Sequence, residues 1–103
     1  MWIFFADAFL SIVDKGGDGS TLLVRARRPG DIEKVFPEAS VSVGGGTDYG
    51  YRARLPRERV AAKVAEAIGA ITYPNFKSEV RDPERHDAYM GVWREMLKYQ
   101  QTR

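Results

Sequence analysis

The sequence predicts an α+β domain: a mainly antiparallel sheet of about four to five strands, with two longer helices packed on one face. Three observations predict it. Period-two alternation is concentrated in the first half of the chain. Period-3.6 spacing is concentrated in the second half. Glycine clusters separate the strand-like runs, with connections too short for parallel crossovers.

The first apolar run, Trp2 to Val13, is rich in aromatic and β-branched residues and is longer than an ordinary strand. Ala6-Asp7-Ala8 turns the chain, so a hairpin of residues 2–5 with 9–13 is expected; a bulge in one long strand is the alternative. Phe4, Phe5, Phe9 and Leu10 put bulky groups on both faces of this run. A domain of 103 residues has few helices with which to cover two faces. Self-association as a homodimer, or another tight contact through these four residues, is therefore expected.

Residues 21–27 alternate cleanly, with Leu22, Val24 and Ala26 on one side and Leu23, Arg25 and Arg27 on the other. Gly16-Gly17-Asp18-Gly19 before them reads as a hairpin connection. Arg28-Pro29-Gly30-Asp31 breaks the strand, and Ile32, Val35 and Phe36 predict a short helix ending before Pro37. Residues 41–43 form a candidate short strand and residues 49–55 a stronger one. In the latter, Tyr49, Tyr51, Ala53 and Leu55 share one face while Arg52 and Arg54 share the other.

Pro56 opens a helix to about residue 70, on which Val60, Val64, Ala67, Ile68 and Ile71 form the apolar stripe. Asn75 caps a short helix. Asp82-Pro83 caps and starts a final helix to about residue 100, whose stripe is His86, Tyr89, Met90, Trp93, Met96 and Leu97. Trp93, Met96, Val64 and Ile68 are expected in the core.

These segments resemble, in order, a group of small uncharacterised bacterial proteins of unknown function. The resemblance is carried by Met1-Trp2-Ile3-Phe4, Phe9-Leu10-Ser11-Ile12-Val13 and Leu23-Val24-Arg25-Ala26-Arg27. It continues through Thr47-Asp48-Tyr49 with Tyr51-Arg52-Ala53, Tyr73-Pro74-Asn75-Phe76-Lys77, and Tyr89 with Val92-Trp93. It departs at Ala6-Asp7-Ala8, where such proteins are expected to carry a glycine-containing turn. It implies a small bacterial or phage-borne protein, a class that includes regulators of host machinery and host defence, and it carries no activity to transfer.

Composition restricts the chemistry. There is no cysteine, which excludes disulfides, zinc–thiolate sites and thiol nucleophiles and favours a cytoplasmic setting. The apolar start lacks the basic region of a signal peptide and is too short to span a bilayer, so neither export nor membrane insertion is expected. The formal net charge is +2. That balance permits an acidic protein partner or nucleic acid without demanding either.

The strongest candidate site is the set Arg25, Arg27, Arg52 and Arg54. If their strands are neighbours, four guanidiniums share one surface, each a planar fork suited to phosphate or carboxylate. The alternative is a solvated face paired with the chain's own carboxylates. Lys77, at the start of the capped helix, is a further candidate anion contact. Tyr49 and Tyr51 are turned by alternation to the side away from the arginines. Exposed aromatics interleaved with basic residues along one strand face, a mark of nucleic-acid binding, are missing.

No catalytic set is legible. His86, the one histidine, has no nucleophile at a readable spacing, and with Asp82 offers too few ligands for a metal. Gly44-Gly45-Gly46-Thr47-Asp48 lacks the lysine and the following helix of a phosphate loop, and reads as a turn. No cofactor is expected. The reading that follows is a non-enzymatic binding module; a small enzyme using Arg52, Tyr51 and His86 in a cleft is the alternative.

Overall fold

The alternating first half of the chain forms one sheet. The computed structural model describes residues 1–44 and 48–102, so Gly45, Gly46 and Thr47, three residues of the turn expected over 44–48, lie outside the described residues. The chain divides into two compact units, Met1–Thr72 and Tyr73–Arg103.

The first unit carries strands β1 (Trp2–Phe4), β2 (Phe9–Val13), β3 (Thr21–Ala26), β4 (Ser42–Val43) and β5 (Tyr51–Pro56), with helices α1 (Asp31–Val35) and α2 (Arg57–Gly69). The sheet order is β1-β2-β3-β5-β4 and every ladder is antiparallel. The expected hairpin forms: Phe4 lies opposite Phe9, and the Phe5 N–H donates to the Ala8 carbonyl at 2.8 Å. The α-amino group of Met1 donates to the Ile12 carbonyl at 2.7 Å, which extends the pairing to the first residue.

Register fixes the two faces, because residues directly opposite in a ladder point the same way. Leu10, Ile12, Val24, Ala26, Ala53 and Leu55 turn to one face and bury against Ile32, Val35 and Phe36, and against Val60 of α2. Each of the Leu, Ile, Val and Phe side chains among them contributes about 1.5–3 kcal/mol relative to exposure. Leu10 is wholly buried there, so it is a core residue and not part of an interface; Phe5 also packs against this core. Strand alternation accounts for the correction, since Leu10 and Phe9 must face opposite ways.

A buried carboxylate ties the hairpin to the first helix. Asp31 accepts from the Phe9 backbone N–H at 3.0 Å. Lys34, one turn on, donates to the Asp7 carbonyl at 3.1 Å and lies 3.9 Å from the Asp31 carboxylate. Gly30, with φ 88°, supplies the left-handed bend that starts this helix.

Only the first part of the α2 stripe is covered. Val60 is buried and Val64 half-buried, but Ile68 is 64% exposed and Ile71 is exposed as well. Ile68 is therefore not a core residue. An apolar stripe identifies which side of a helix seeks burial, but not how much of its length the sheet reaches.

The second unit comprises a 3-10 turn (Phe76–Glu79) and helix α3 (Pro83–Gln101). Both expected caps form: Asn75 Oδ1 accepts from the Lys77 N–H at 3.0 Å, and Asp82 Oδ2 from the Arg85 N–H at 2.9 Å. Phe76 stacks on Tyr89 with ring centroids 6.0 Å apart. No residue of α3 is fully buried; Trp93 is 52% exposed and Met96 57%, so neither is a core residue. Among the described residues, no helix is long and apolar enough to cross a membrane.

Candidate anion-binding face

The face opposite the core carries the arginines. β3 and β5 are neighbours, and Arg25 stands directly opposite Arg52. The pairings Trp2–Ser11, Ser11–Arg25, Arg25–Arg52 and Arg52–Ser42 line up one row across all five strands. Adjacent strands are about 4.8 Å apart, so the backbones of the central pair are direct neighbours and both side chains leave the sheet on this face.

Arg25 is held from two sides. Its Nη2 donates to the buried Ser11 Oγ at 2.9 Å, and its Cζ lies 4.5 Å from the centre of the Tyr49 ring. Its Nε is buried and has no hydrogen-bond partner. Arg27, two residues on, has its Cζ 4.2 Å from the same ring. It also grips Asp48 with two hydrogen bonds, Nη1 to Oδ1 at 3.0 Å and Nη2 to Oδ2 at 3.1 Å. That grip holds the Asp48 carboxyl below its ordinary value, chiefly through the hydrogen bonds and then through the charges of Arg27 and Arg25.

Tyr49 is therefore a member of the site, against the expectation from alternation. β5 begins at Tyr51, and a bend at Gly50 breaks the alternation before it. Tyr49 is buried, with both guanidiniums over its ring, where the negative face of the π system attracts cations. The signal available in the sequence was Gly50, whose place beside a strand marks the end of regular pairing.

Arg54 shares the face but is directed elsewhere. Its Nη2 donates to the Lys15 carbonyl at 2.6 Å and packs on the hairpin turn. A Cβ at Gly16, where φ is 76°, would lie 2.9 Å from that nitrogen. Lys77 belongs to the second unit, where its Nζ lies 5.7 Å from the centre of the Trp93 ring.

An aromatic group occupies the β1–β2 end of the same face. Phe4 and Phe9 have centroids 4.7 Å apart, and Trp2 meets Phe9 edge-on at 6.4 Å. Trp2 remains 67% exposed. Aromatics at one end and cations at the other thus share one face across strands, an arrangement that inspection along any one strand could not reveal.

The residues of the enzyme alternative diverge. Tyr51 packs against the core and its neighbour Arg52 faces the other way, so they cannot line one cleft. His86 belongs to the second unit; its side chain is 41% exposed, with Nδ1 3.7 Å from Asp87 Oδ1. Among the described residues, no group of three or more His, Cys, Asp or Glu side chains is placed to hold a metal.

Compared with known protein families, with curated proteins and with solved structures, the chain has no significant match.

Proposed function

We propose that this protein is a non-enzymatic binding module whose sheet face, centred on Arg25 and Arg52 with Arg27 beside them, contacts an acidic protein or nucleic acid. The observation that carries the proposal is the direct opposition of Arg25 and Arg52 in one antiparallel ladder. Like charges directly opposite each other are unfavourable in a sheet. A bound anion shared between them reverses the sign of that interaction, and guanidinium forks match phosphate and carboxylate geometry. Tyr49 and Ser11 support the arrangement by orienting Arg25 before any partner arrives. Phe4 and Phe9, at the β1–β2 end of this face, supply apolar area for the same contact or for a second copy of the chain.

The test is a charge-reversal double variant, Arg25→Glu with Arg52→Glu, applied to a column carrying a sulfated polyanion. Wild type is expected to be retained and to elute with salt; the variant, with unchanged circular dichroism, is expected in the flow-through. Equal retention of a folded variant would refute the site.

A further inference from the structure

We propose, resting on the anion-binding reading above, that the partner of this face is single-stranded nucleic acid, with Trp2 as a base-stacking platform and Arg25 and Arg52 as its phosphate contacts. The placement follows from register. Trp2, Ser11, Arg25 and Arg52 lie side by side on four adjacent strands and point to one face. Three strand spacings put the backbone of Trp2 roughly 14 Å from that of Arg52. A chain lying along the row meets an aromatic ring at one end and two cations at the other.

Three features favour this class of partner over the other anions. Trp2 offers a large, 67% exposed ring, and its edge-on contact with Phe9 limits how it can turn. An acidic protein supplies carboxylates for the arginines and would use Trp2 only as apolar contact area, with no regular series of flat rings to stack on it. Duplex DNA encloses its base faces within the stack and presents only edges and phosphates, so Trp2 could not stack on it. A single strand presents both at once: unstacked bases for an aromatic platform and phosphates for arginine. The guanidinium of Arg25, its Cζ 4.5 Å from the centre of the Tyr49 ring, adds a planar group of the kind on which bases also stack.

The experiment uses the full chain and three probes: labelled oligothymidylate, a hairpin duplex of equal phosphate number, and polyglutamate. Wild type is expected to bind the single strand at least tenfold more tightly than the duplex. Trp2→Ala is expected to weaken single-strand binding about tenfold while leaving polyglutamate binding unchanged; Trp2→Phe retains most of it. In a Trp93→Phe background, the single strand is expected to quench the emission of Trp2. With two phosphates neutralised, the logarithm of affinity falls against that of salt with a slope of about −1.4. Binding of single strand and duplex alike, indifferent to Trp2→Ala yet abolished by Arg25→Glu with Arg52→Glu, overturns the nucleic-acid inference and leaves the anion face intact. Failure of all three probes to respond to the arginine pair overturns both.

Discussion

Arg25 stands directly opposite Arg52 in the β3–β5 ladder, and Tyr49 lies under the guanidiniums of both Arg25 and Arg27. One buried ring thus orients two cations on the face away from the core. Tyr49 is 4% exposed, so its removal acts on stability and on the site together.

Tyr49→Ala is expected to cost about 3 kcal/mol or more through the cavity it leaves, and to weaken anion binding in whatever fraction remains folded. Tyr49→Phe keeps the ring and is expected to keep polyanion affinity within about twofold. Urea unfolding with parallel column retention measures both effects. A folded Tyr49→Ala protein of undiminished stability would show that the ring is not packed against the arginines.

Leu10 and Trp93 are expected to respond to truncation to very different extents. Leu10→Ala removes a wholly buried side chain and should cost about 2–5 kcal/mol. Trp93→Ala removes a half-exposed ring and should cost about 1 kcal/mol or less. Comparison of urea midpoints at constant slope tests the contrast. A large loss at Trp93 would mean that α3 buries that ring in solution.

These two residues also show how far the fold is legible in the sequence. Alternation in residues 21–27 and 49–55, with glycine punctuation, was enough for the antiparallel sheet and for its core face except at Tyr49, because a strand has a period of two whatever its partner. Asn75 and Asp82 announced their helices because a cap is a local hydrogen bond. Trp93, Met96 and Ile68 misled because periodicity marks an apolar side without saying what covers it. The candidate site was legible only in its arginines. Trp2 and Ser11 join Arg25 through cross-strand register, which belongs to no single segment, and Tyr49 joins through the bend at Gly50.

Acid should loosen the Arg27–Asp48 pair. The folded Asp48 carboxyl lies below its ordinary value, so the contribution of the pair is fully present above the unfolded value of about 3.9. It is lost as pH falls through the folded value. Asp48→Asn should therefore be less stable than wild type at neutral pH, with the difference closing below about pH 4. Because Asp48 competes for Arg27, the same variant should also bind polyanions more tightly at neutral pH. A stability difference that stays constant down to pH 2 would contradict the sign of this linkage.

Whether Arg25 and Arg52 share one anion can be read from the guanidinium nitrogen spectrum of the full chain titrated with inorganic pyrophosphate. The Nε–H signals of Arg25 and Arg52 are expected to shift together along one saturation curve. That of Arg54, whose guanidinium packs on the turn at Lys15 and Gly16 away from that pair, should move little. Common saturation of the Arg25 and Arg52 signals is expected for one anion shared between them; silence of both while other arginines respond would refute the shared site.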